Sequence, residues 1–145
     1  MGKSEIINSP LIAAIITPQD HNTIIPSTMS TNKLLIANRG EIAIRIINSA
    51  YDLEMETVTI YSEDDHAALH TQKSDETYAL KGRGAAAYLN MEQIIEIALK
   101  AGCNLIHPGY GFLSENEQFA KKCAASGIIF IGPTAMLLSI LGDKI

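Results

Sequence analysis

A chain of 145 residues, 47% hydrophobic and 19% charged, is long enough for one domain with its own core and too apolar to be disordered throughout. Its formal net charge of −5, with no run of Lys and Arg, argues against a nucleic-acid surface. The longest apolar run near the N-terminus, Leu11 to Ile16, is too short for a spanning helix or a signal-peptide core, and the first arginine is Arg39, which speaks against a transit peptide.

Residues 1–31 carry prolines at positions 10, 18 and 26, clustered Asn, Ser and Thr, and no sustained period, so they read as a loose extension. The organised part starts at about residue 32. Leu34 to Ala37 is a continuous apolar run, as expected of a strand buried on both faces. After Asn38-Arg39-Gly40 comes a helical stripe through Ile42, Ile46, Ala50 and Leu53. Residues 57–62 (TVTIYS) are β-branched and aromatic, a second strand, and 76–80 (ETYAL) is a shorter third. Asn90 with Gln93 has capping-box spacing and opens a helix that stops at Gly102. Then follow a strand at 104–107 and a second capping box at Ser114-x-x-Glu117. A helix to Gly127, a strand at 128–133 (IIFIGP) and a last helix capped by Thr134 complete the chain. Strands alternating with helices of this length predict an α/β domain with a mostly parallel sheet, whose ligands meet the loops at the carboxyl ends of the strands.

Two loops lie at such ends. Asn38-Arg39-Gly40-Glu41 has one glycine where a dinucleotide turn needs GxGxxG, so it is a weak dinucleotide candidate; Arg39 and Glu41 equally fit an ion pair that fixes the turn. The loop HPGYGFLSEN is richer. Pro108, Gly109 and Gly111 shape a backbone for close approach, Tyr110 offers a flat face with a polar tip, and Ser114-Glu115 opens a helix whose N-terminus favours an anion. A small planar, anionic or urea-like ligand suits it; a tight structural crossover is the plainer alternative. His107 ends a buried strand, where a hydrogen-bonded structural imidazole is favoured over a general base. Arg45, among isoleucines, either pairs with a carboxylate or reaches an interface. His66 and His70 share a helical spacing behind Asp64 and Asp65, but without a third ligand a solvated polar helix start outweighs a metal site. Cys103 and Cys123 lack zinc or disulfide-framework spacing and read as reduced, buried thiols; the cytoplasm is the default location.

The segments KLLIANRGEIAIRI, TIYSEDDHAALH, AAAYLN, LIHPGYGFLSENEQFA, IIFIGP and LGDK, in this order, resemble the N-terminal domain of biotin carboxylase, the ATP-dependent component of acyl-CoA, pyruvate and urea carboxylases. The resemblance covers residues 32–145 and implies a Rossmann-like pre-ATP-grasp fold. It also implies a reaction: bicarbonate activated with MgATP, and CO2 transferred to biotin carried on another domain or subunit. By motif position, Tyr110 and Gly111 border the biotin ring, Glu115 faces bicarbonate and Lys144 reaches the ATP phosphates. The implied partners are ATP-grasp and C-terminal domains, a biotin carrier and a carboxyltransferase.

Two positions depart from the pattern. Asn48 stands where the family commonly has a basic residue, in a region of dimer contacts, and Glu54 replaces the usual glycine after the first helix. The 145 residues contain no ATP-grasp motifs, so the chain by itself is expected neither to cleave ATP nor to carboxylate biotin; the alternative is a binding or interaction module that keeps the fold without the reaction. The final carboxyl acceptor is not legible in these residues.

Overall fold

Leu34, Leu35, Ile36 and Ala37 are all essentially inaccessible to solvent, with Leu34 and Ile36 in one apolar cluster and Leu35 and Ala37 in another. A strand buried on both faces belongs at the centre of a sheet, and β1 (Lys33–Ile36) is the middle strand of five. The structure, a computed structural model, describes residues 32–132.

The elements follow in alternation: β1, α1 (Gly40–Asp52), β2 (Glu56–Tyr61), a 3-10 turn (Glu63–Asp65), α2 (Leu69–Lys73), β3 (Glu76–Ala79), α3 (Gly84–Ala87), α4 (Met91–Ala101), β4 (Leu105–His107), α5 (Glu117–Ala125) and β5 (Ile129–Phe130). The sheet has the order β3-β2-β1-β4-β5 and every pairing is parallel. On one face Ala43, Ile46, Ile47 and Ala50 of α1 cover Leu34, Ile36 and Leu105. On the other, Ile94, Ile95, Ala98, Phe119 and Cys123 of α4 and α5 cover Leu35, Val58, Ile60 and Ile106. Because β1 is followed by a helix on one face and β4 by a helix on the other, the crevice between their carboxyl ends is the topological switch point, where ligands of such sheets bind.

The α/β reading and the parallel sheet hold, and the strands fall where their apolar runs lie. The helix start read around Asp64 to His70 is two short pieces, 63–65 and 69–73, and a third, 84–87, carries too few residues to show a period. The second capping box is corrected: α5 starts at Glu117 and its cap is Asn116, whose Oδ1 accepts the Phe119 N–H at 2.9 Å. Ser114 instead donates its N–H to the Gly111 carbonyl in the turn before. The box at Asn90 is half made: its side chain accepts from Gln93 N, but the Gln93 amide oxygen accepts from Lys81 N. Among the described residues no helix is long and apolar enough to cross a membrane. The extension and the last helix expected from Thr134 lie outside the described residues.

Candidate functional site

Asn38 leaves the end of β1 with its side chain buried, 1% exposed, between the two loops. Its Nδ2 donates to the carbonyls of Pro108 and Tyr110, both at 2.8 Å, while its Oδ1 accepts the Arg39 N–H at 2.8 Å. Both of its donors and one of its acceptor sites are thereby directed at backbone. Gly109 explains its own identity here: it has φ +67°, and an added Cβ would stand 2.7 Å from Asn38 Nδ2 and 2.8 Å from Ile42 Cγ2. A side chain would displace the amide that ties the loop.

His107 completes the frame from below. Its carbonyl accepts the Ala37 N–H at 2.9 Å, joining β1 to β4, and its Nδ1 accepts the Gly109 N–H at 3.0 Å. An accepting Nδ1 places the proton on Nε2, which is buried with no hydrogen-bond partner among the described residues. Burial drives the imidazole pKa down to about 4, so it is neutral near pH 7.

Above this frame Tyr110 is 78% exposed. Gly111, at φ +71°, has nothing within 4 Å of where a Cβ would lie, so open space adjoins its backbone. Phe112 also takes a positive φ, 44°, and turns its ring inward to lie 5.2 Å from Tyr88. Glu115 is exposed in the turn before α5.

Arg39 does not pair with Glu41, which is exposed on the first turn of α1. Its guanidinium lies 5.6 Å from the ring centre of Tyr88 and 5.7 Å from that of Phe112, with Nη1 3.4 Å from Asp65 Oδ2. Burial opposes the charge on Asp65, but hydrogen bonds from Tyr88, Ser62 and Arg39 outweigh it and hold the carboxyl below its ordinary pKa. Burial, followed by the bond to Asp65, pushes the Tyr88 hydroxyl up to about 12, so it remains a donor at 2.8 Å.

Arg45 is exposed on α1 and has no ion pair among the described residues, although Glu41 lies one turn before it on the same helix. One further expectation is corrected. His70 is not a solvated residue of a polar helix start: it is fully buried, its Nε2 3.0 Å from the Ile60 carbonyl and its Nδ1 3.4 Å from Gly40 N. The imidazole thus links the first N–H of α1 to a carbonyl of β2, which no short-range pattern reveals. Lys144 lies outside the described residues. The sequence names Asn38 only as part of its loop and Asp65 only beside His66, and gives no role to Tyr88 or Phe112; an Asn at a strand end just before a glycine turn is the one local signal, while the other three meet only through the fold.

The arrangement can seat a small planar group against the Gly111 backbone beside an exposed phenol, in a crevice whose floor is fixed. Among the described residues no group of three His, Cys, Asp or Glu is arranged to hold a metal.

Comparison with known proteins gives a consistent pattern. The family model described as "Biotin carboxylase, N-terminal domain" matches residues 30–138. Pyruvate carboxylase of Staphylococcus aureus is 55% identical over 115 residues, covering 78% of this chain and 10% of that protein. Pyruvate carboxylase of Aspergillus niger is 50% identical over 121 residues, covering 81% and 10%. The biotin carboxylase domain of the Hydrogenobacter thermophilus 2-oxoglutarate carboxylase, solved as a dimer with MgADP and bicarbonate, superposes with a TM-score of 0.76 at 47% identity, over 78% of this chain and 25% of that one. The chain thus spans about a tenth of the length of these curated relatives.

Proposed function

Since the chain belongs to the biotin carboxylase N-terminal domain family, we propose that it supplies one wall of a site where biotin is carboxylated with MgATP and bicarbonate, the first half-reaction of a biotin-dependent carboxylase. The remaining walls come from an ATP-grasp domain, with a biotin carrier and a carboxyltransferase as further partners. One observation carries the reading. At the switch point of the sheet, a backbone fixed by Asn38 and His107 presents an exposed Tyr110 and an open Gly111. The ureido ring of biotin is flat, neutral and rich in hydrogen-bonding atoms, and it needs a surface without a projecting Cβ on one side. Gly111 supplies that surface and Tyr110 its border.

Glu115, exposed one residue before the cap of α5, takes the bicarbonate side of the site in this proposal. Lys144 takes the ATP phosphates, where a fixed cation stabilises developing phosphoryl charge. The described residues lie on the biotin side of this proposal, away from the nucleotide. What they do is bind and orient: the loop holds its shape before ligand arrives, so little ordering is left for the moment of reaction.

The test is a transplant. The residues of this chain that align with Staphylococcus aureus pyruvate carboxylase replace that enzyme's own segment, and biotin-dependent phosphate release is measured. The hybrid is expected to be active. Gly111→Val in it should abolish biotin-dependent turnover while leaving ATP binding within about twofold, because the added branch fills the space beside the ring and is strained at positive φ. An inactive hybrid that folds and binds ATP, or a Gly111→Val hybrid with unchanged biotin kinetics, counts against the proposal.

A further inference from the structure

The segment Tyr110-Gly111-Phe112 is held at both ends by one dipeptide. Asn38 Nδ2 donates to the Tyr110 carbonyl, and the guanidinium of Arg39 lies over the Phe112 ring. The same two residues are joined by the Arg39 N–H to Asn38 Oδ1 bond, so the holds cannot drift independently. Each is anchored in turn: Asn38 through its second donor bond to Pro108, and Arg39 through Asp65 and the face of Tyr88. Gly111, between the two holds, has open space beside it.

We propose that Asn38 and Arg39 are positioning residues for the biotin-facing wall: acting through the backbone on either side of Gly111, they fix the height and tilt of that wall. The proposal rests on the functional reading above and deepens it. Neither residue touches the ligand. Their substitution therefore perturbs biotin placement and leaves the nucleotide side unaffected, a split that a purely structural role would not produce. Asn38 is the sharper of the two, because its carboxamide can be exchanged for a carboxylate of the same shape. Asn38→Asp removes both donors and sets a negative charge against the carbonyl oxygens of Pro108 and Tyr110.

Two measurements test it. In the 145-residue chain, amide hydrogen exchange of Asn38→Asp is compared with that of the parent. The Gly109 and Ser114 amides, bonded to His107 Nδ1 and the Gly111 carbonyl, should exchange at least about tenfold faster, while the Leu105 and Ile106 amides of β4 keep their protection. Equal exchange at Gly109 and Ser114 overturns the proposal. In the transplanted carboxylase, Asn38→Asp and Arg39→Leu should each raise KM for free biotin by about tenfold or more with KM for ATP within about twofold. Equal rises in both constants, or none in that for biotin, also overturn it. If the unmutated hybrid folds but is inactive, the functional reading fails and the assignment to biotin falls with it; the exchange experiment then still decides whether Asn38 holds the loop.

Discussion

An imidazole with one ring nitrogen committed to Gly109 and the other buried without a partner among the described residues makes acid a specific stress on this site. The His107 side chain takes up a proton near pH 6.5 when unfolded and only near pH 4 in the fold. Between those values the unfolded chain binds more protons, so stability falls as pH drops from 6.5 to 4 and is level above that range on this account, for a total of about 3 kcal/mol. Urea unfolding across pH 4 to 7 should show this slope. It should be largely absent in His107→Asn, whose Oδ1 can stand in for Nδ1 toward Gly109 without titrating. Asp65 and Glu76, whose carboxyls are held below their ordinary values, lose their own contribution as pH falls through the carboxylate range, a loss that His107→Asn retains and that therefore marks the imidazole's share by difference.

At the scale of the element, α1 ends without the glycine that its left-handed exit asks for. Glu54 adopts φ +58° instead, while Leu53 N–H returns to the Ser49 and Ala50 carbonyls. A side chain in that region costs about 1 kcal/mol, so Glu54→Gly should raise unfolding stability by roughly that amount, less the entropy a glycine adds to the unfolded chain. At α5, Asn116→Ala should cost about 1 kcal/mol and Ser114→Ala much less, since only Asn116 accepts a helix N–H. Denaturant midpoints of the two variants decide which residue caps the helix. These termini also mark where sequence was readable. The run Leu34 to Ala37 announces a central strand because both of its faces are buried, and Gly102, at φ +78°, announces the end of α4. Ser114 and Asn116 are chemically equivalent as caps, however, and the backbone path that chooses between them is set by Gly109, Gly111 and Phe112. Likewise Tyr110 and Gly111 stand out locally, whereas the hold on them comes from Asn38, about seventy residues away, which no local period can show.

For the whole molecule, the two faces of the sheet carry separate apolar clusters, and both cysteines belong to the same one, under α4 and α5. Burial raises each thiol to about 12, with the charges around Cys103 acting as smaller corrections, so neither is a nucleophile near pH 8. Thiol labelling in increasing urea should therefore be negligible in the native baseline and rise at one midpoint for both. Two distinct midpoints would show that this face opens in parts. The parallel order of the sheet also sets a timetable. Asn38 and its acceptor Pro108 are separated by 70 positions, and the β1 edge that β4 will occupy is free until that much more chain exists. At synthesis rates of about 5 to 20 residues per second, the ribosome holds a half-built sheet with its central strand uncovered on one side for roughly 4 to 14 s. The order of translation thus makes this crevice close late, with only the β5 edge to follow, and the interval before closure is when a nascent chain is most open to chaperones or to pairing with the wrong strand.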